Sequence, residues 1–132
     1  MTTQTAVRVD SPSYQAYQIL HVAFTIAPIV AGLDKFFHFL VNWDLYLAPI
    51  VPRTLHVGAH TFMLGVGGIE VIAGLLVAIA PRIGGWVVGL WLCGIIVNFL
   101  MMGAYFDIAL RDLGLALGAF ALARLSADFS EL

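Results

Sequence analysis

The chain has 132 residues, of which 61% are hydrophobic and 11% are charged, and its net charge at pH 7 is -2. Soluble domains carry about 25% charged residues, so this composition excludes soluble, disordered and nucleic-acid-binding proteins. It predicts an integral membrane protein that contacts the lipid bilayer. The single cysteine, Cys93, excludes an internal disulfide.

Four stretches are apolar and long enough to cross a membrane, because about 20 residues of helix span the hydrocarbon layer. They cover residues 19–41, 60–80, 83–102 and 105–125. We therefore predict an all-α fold, a four-helix transmembrane bundle that forms one domain over residues 19–125. A polar tail (residues 1–18) precedes it, and a short tail (residues 126–132) follows it.

One long connection, residues 42–55, separates the first two predicted spans. Pro49 and Pro52 exclude a long regular helix there, whereas Trp43 and Tyr46 suit the headgroup region of a bilayer. We predict an interfacial loop between helices 1 and 2 that covers one mouth of the bundle.

The positions of the basic residues predict the orientation in the membrane. With four spans, Arg8, Arg82 and Arg124 share one side, and Arg53 lies in the loop on the other side. This distribution favours both termini in the cytoplasm, and we expect a prokaryotic inner membrane. Counting residues embedded in the spans as well would make the two sides equal.

Several ionisable side chains fall inside the predicted spans, where each costs roughly 2.5–3.5 kcal/mol at the bilayer centre. The candidate cofactor-binding residues are Asp34, Lys35, His38, Glu70, Asp107 and Arg111. Except for Glu70, near the midplane, they lie near the loop-side ends of their spans. This clustering predicts one shared polar site in the extracytoplasmic leaflet. The alternative is ion pairing that only holds the bundle in register.

Three histidines are candidate metal ligands. His56 and His60 are four residues apart, a spacing that places two imidazoles on one helix face, and His38 could add a third ligand. Imidazole binds transition metals and haem iron. The alternative is that these histidines are interfacial side chains without a ligand.

Short motifs resemble the DoxX-like family of small membrane proteins. The sequence GLDKF at residues 32–36 resembles the family's Gly-x-x-Lys signature, and EVIAGLL at residues 70–76 is similar to its Glu-x-x-x-Gly-x-Leu segment. The basic turn after Pro81 and the segment 105–113 also fit, so the resemblance covers residues 17–125. It implies a four-helix membrane protein with Lys35 and Glu70 at family positions. It also implies a small subunit or partner of a membrane redox system that involves quinone.

Three functions follow from these observations. The first is an accessory or quinone-associated subunit of a membrane redox system. The second is a membrane protein with a histidine-ligated metal or haem. The third is a non-catalytic assembly or transport component of a larger membrane complex or homo-oligomer. No complete catalytic constellation occurs in the sequence, so the pattern leaves open whether the protein is an enzyme.

Overall fold

A computed structural model describes residues 11–37, 39–40 and 42–129, and these residues form helices and turns without a strand. The four long helices are α1 (Pro12–Phe37), α3 (Ala59–Ile79), α4 (Pro81–Met102) and α5 (Phe106–Phe129). The connection between α1 and α3 contains a 3-10 turn (Trp43–Tyr46) and the short helix α2 (Ile50–Leu55). The prediction of an all-α fold is confirmed for this part of the chain.

Three of the four long helices are apolar enough to cross a membrane. Within the described residues, α1, α3 and α4 have both the length and the composition of membrane spans. The fourth, α5, has the length, but charged side chains lower its hydropathy. Its charged residues are Asp107, Arg111, Asp112, Arg124 and Asp128. These three helices are therefore compatible with a membrane protein, whereas composition does not establish the predicted fourth span.

The first helix begins earlier than the hydropathy of the sequence predicts. It starts at Pro12, whereas the predicted span starts at residue 19. The Ser11 hydroxyl accepts a hydrogen bond from the Tyr14 N–H (3.2 Å), and proline at the first helical position loses no hydrogen bond. Tyr17 then packs against Phe129 of α5, with ring centroids 5.3 Å apart. Capping and aromatic packing extend α1 into the segment predicted as a polar tail.

Glycines allow α1 and α3 to pack closely in antiparallel directions. A Cβ atom added to Gly67 would lie 2.6 Å from the Gly32 carbonyl oxygen. Two turns further along α3, a Cβ atom on Gly74 would lie 2.8 Å from the Thr25 carbonyl oxygen. In contrast, Gly68 faces open space. The two backbones therefore touch on one face of α3 only.

The remaining helices close the packing around this pair, because α4 packs against α3 and α5, and α5 also packs against α1. Gly85 of α4 faces the Ala119 carbonyl oxygen of α5, at 2.8 Å from an added Cβ atom. Val77, Ala119 and Leu122 are fully buried at the centre. Only Ala80 separates α3 from α4, so these helices are antiparallel neighbours, as the sequence predicts.

His21 compensates for a hydrogen bond that Pro81 cannot make. In a continuous helix, the N–H of residue 81 would donate to the carbonyl of Val77, but proline has no N–H. The ring of His21 on α1 fills this place, with Nε2 donating to the Val77 carbonyl oxygen at 2.9 Å. The contact thus satisfies the end of α3 and ties it to α1.

We expect His21→Phe to lower the free energy of unfolding by about 1–3 kcal/mol, because the buried Val77 carbonyl would lose its donor. Thermal unfolding in detergent measures this change. The control is Gln18→Leu, which removes only an exposed hydrogen bond to Tyr14 on the same helix. Equal unfolding midpoints for the two variants would contradict the role assigned to His21.

Candidate functional site

A buried ion pair lies at the centre of the candidate site. The Lys35 ammonium of α1 pairs with Glu70 Oε1 of α3, and the two side chains are only 4% and 10% exposed. Gly67 brings them together, since a Cβ atom there would lie 3.0 Å from the Lys35 Cβ atom. The close approach of the helices therefore determines which charges meet.

Trp43 covers this pair from the connecting segment. Its ring lies 3.8 Å from the Lys35 Nζ atom, measured to the ring centroid, which is a cation–π contact. Its Nε1 atom donates to Asp34 Oδ2 at 2.6 Å. The other oxygen of Asp34 accepts the Leu40 N–H at 2.9 Å. One tryptophan thus joins the carboxylate and the ammonium of two consecutive residues.

Helices α4 and α5 also contribute to the surroundings of Glu70. The buried Trp91 Nε1 of α4 lies close enough to interact with the Glu70 carboxylate, but it forms no hydrogen bond of ordinary geometry. The carboxylate of Asp112 on α5 is near enough to repel that of Glu70. Asp112 is itself buried and pairs with Arg111, whose Nη2 atom lies 3.0 Å from Asp112 Oδ1. All four long helices therefore reach this region.

The structure describes five of the six predicted cofactor-binding residues and separates them into two groups. Asp34, Lys35 and Glu70 are buried and belong to one network through Trp43. Arg111 and Asp107 are exposed, and Arg111 adjoins the network only through Asp112.

Three residues used in the predictions fall outside what the structure describes. They are His38, a candidate for both the cofactor and the metal site, Val41, the predicted end of the first span, and Arg8, which the predicted orientation uses.

The predicted helical face shared by His56 and His60 is wrong. His56 ends α2 with a left-handed backbone (φ 59°), and α3 starts only at Ala59. His60 instead faces Asp44, with its Nδ1 atom 3.0 Å from Asp44 Oδ2. Residues 11–37, 39–40 and 42–129 contain no group of three histidine, cysteine or acidic side chains placed to hold a metal.

Residues 42–48, which we call the cap, contact every long helix or the residue that precedes it. Trp43 bonds to Asp34 of α1, and Asp44 pairs with His60 of α3. Asn98 of α4 accepts the Ala48 N–H at 2.7 Å and donates to the Tyr46 carbonyl oxygen at 2.6 Å. The Tyr46 ring packs 4.8 Å from that of Tyr105, directly before α5. The cap therefore closes the end of the helix packing at which Lys35 lies.

Sequence reasoning placed Trp43 near the polar site without assigning it a contact, gave Trp91 no role there, and missed the bonds made by Asn98. An indole in an apolar sequence is more often part of an aromatic belt or of the packing between helices, so composition gave no signal for Trp91. Asn98 did carry a signal, since a polar amide in an apolar helix requires partners. Asp112 carried the same signal.

Two surface grooves of the described residues lie away from this network. Two shallow apolar grooves run along α1, one lined by Gln18, Ile19, Val22 and Ala23 and the other by His21, Val22, Thr25, Ile26 and Ala78. Neither groove includes a residue of the network around Lys35. The charged side chains there contact one another and the cap.

Comparison of the chain with protein-family models, with curated proteins and with solved structures finds no match. The DoxX-like resemblance is therefore a prediction based on the short motifs at residues 32–36 and 70–76.

Proposed function

We propose that this chain is a small integral membrane protein that serves as an accessory subunit of a larger membrane complex. The observation that carries the proposal is the internal use of its buried charges. Lys35 is paired with Glu70 and covered by Trp43, while Asp34 bonds to Trp43 and Leu40. Groups engaged in this way hold helices and cap together. In contrast, α1, α3 and α4 present apolar outer faces.

Those outer faces support a role inside a bilayer and beside other membrane helices. Large side chains such as Ile19, Ile72 and Leu90 are about two-thirds exposed, at 68%, 66% and 65%. In water, faces of this kind would cause aggregation, whereas in a membrane they contact lipid or a partner helix. We include in the proposal a prokaryotic inner membrane with both termini in the cytoplasm.

The association with redox chemistry is part of the proposal through the DoxX-like resemblance. The resemblance places Lys35 and Glu70 at family positions, and these two residues form the buried pair. In this proposal the pair keeps the subunit folded while the partner carries the redox centre.

Purification of a tagged chain in mild detergent, followed by native electrophoresis, tests the accessory role. We expect a stoichiometric complex whose other subunit contains a flavin, haem or iron–sulfur centre, and we expect that complex to become less abundant when the chain is deleted. A chain that migrates alone, together with unchanged membrane complexes in the deletion strain, would refute the proposal.

A quinone-binding site is the second candidate, and the buried Trp91 N–H favours it. This donor has no hydrogen bond of ordinary geometry and lies beside Glu70, so it is available to a ligand carbonyl. We expect a soluble quinone analogue to quench tryptophan fluorescence, and we expect Trp91→Phe to weaken its binding about 10-fold, the loss of one such bond. The matched control is Trp86→Phe, since Trp86 lies on the same helix and packs against Phe120 of α5. Equal affinity in both variants would remove this candidate.

The metal or haem site stays a separate prediction from the sequence. Its test is the visible spectrum and the metal content of the purified chain. An absorbing chromophore that His60→Ala abolishes would support it, and the absence of both chromophore and metal would count against it.

A further inference from the structure

The buried pair is separated from the end of the molecule by a single short segment. Lys35 is 3% exposed, and on the outer side its ammonium lies against the ring of Trp43. Side-chain contacts hold the cap to its neighbours at Asp34, His60 and Asn98. No span would have to move for the cap to come away from these three contacts.

The closed cap leaves unfavourable features in and around it. Among the described residues, Asp44 Oδ1 has no hydrogen-bond partner and is buried, while Oδ2 pairs with His60. A buried carboxylate oxygen without a partner is costly. Tyr105, which packs on Tyr46 of the cap, has a left-handed backbone (φ 62°). Residues with side chains adopt this conformation at an energetic cost when surrounding contacts impose it. Opening would expose Asp44 Oδ1 to solvent and free Tyr105 from the Tyr46 contact.

We propose that residues 42–48 form a removable cap, whose local opening admits water to the Lys35–Glu70 pair without separation of the helices. The inference goes beyond the accessory role, since it concerns access to the pair and holds with or without a partner. In the closed state the pair is dry, and in the open state Lys35 is reachable from the cap side.

The single lysine and the single cysteine of the chain allow opening of the cap to be measured by chemical labelling. Lys35 is the only lysine in the sequence, and Cys93 is the only cysteine. An amine-acylating reagent therefore measures opening of the cap at Lys35, once mass spectrometry separates its peptide from the N-terminal amine. Alkylation of Cys93, half-buried in α4, measures loosening of the helices in the same sample.

Two variants loosen the cap at different points, and both use the full chain in detergent. Asn98→Leu removes both hydrogen bonds to the cap backbone, whereas Trp43→Phe removes the donor to Asp34 and keeps an aromatic ring near Lys35. We expect each to raise the acylation rate of Lys35 on the order of 10-fold, as local opening becomes easier, with an unchanged alkylation rate at Cys93. The matched control, Trp86→Phe, should label at the wild-type rate.

Two results of the labelling experiment would overturn the proposal. If Lys35 in both variants is acylated at the wild-type rate, the cap does not control access. If acylation of Lys35 rises only together with alkylation of Cys93, the helices separate and no local opening occurs. Either outcome refutes a removable cap.

Discussion

Replacing Glu70 with leucine alone is expected to lower the free energy of unfolding by about 3–5 kcal/mol, because Lys35 would remain as a buried charge without its partner. The pair is almost fully buried, so water cannot replace the lost carboxylate. Reversible unfolding in mixed micelles, followed by circular dichroism, measures the change. Asp107→Asn is the control, since it neutralises an exposed carboxylate of α5.

The double variant Lys35→Met with Glu70→Leu separates the cost of an orphaned charge from the value of the pair itself. Apolar residues of similar size often replace a buried pair with little loss of stability. We therefore expect the double variant to recover most of the stability that Glu70→Leu loses. If the two substitutions add without coupling, the side chains do not interact in the membrane and the central contact of the site is refuted.

Replacing Gly67 with valine is expected to lower the free energy of unfolding by about 3 kcal/mol. The new Cβ atom would lie 2.6 Å from the Gly32 carbonyl oxygen, and a rigid backbone atom cannot yield as a flexible side chain can. The helices would have to move apart at the point that brings Lys35 beside Glu70.

The neighbouring glycine provides the matched control for this prediction. Gly68→Val adds the same atoms one residue away, where nothing lies within 4 Å of the Cβ position. We expect its unfolding free energy to remain close to that of the wild type, and we expect the acylation rate of Lys35 to rise only in the Gly67 variant. Similar destabilisation at both positions would mean that the packing of α1 on α3 is not as described.

Hydropathy and the position of Pro81 predict helices α3 and α4, which are mostly apolar. The predicted spans 60–80 and 83–102 match α3 (Ala59–Ile79) and α4 (Pro81–Met102), because apolar runs and a proline mark their ends. Hydropathy does not predict the first turns of α1. Ser11 stabilises them through a hydrogen bond from the Tyr14 N–H, and Tyr17 through an aromatic contact with Phe129.

The site depends on contacts between residues far apart in the chain, and the periodicity of the sequence does not predict such contacts. The sequence marks Lys35 and Glu70 as costly residues in apolar helices, but helical spacing does not say which faces meet. That depends on Gly67 and on the direction of α3. The contacts of Asn98 with Tyr46 and Ala48 depend on the path of an irregular connection, for which the sequence has no repeating pattern.

The one-residue connection at Ala80 has a consequence for biogenesis. Since a single residue joins α3 to α4, we expect the two helices to leave the translocon together as a hairpin. The later-synthesised α5, rich in charge, would then meet Gly85 and Gly89 of α4 as a preformed docking surface and would not have to partition into lipid unaided. Deleting α4 should therefore leave α5 without its main packing surface and make it more accessible to protease, which limited proteolysis would detect.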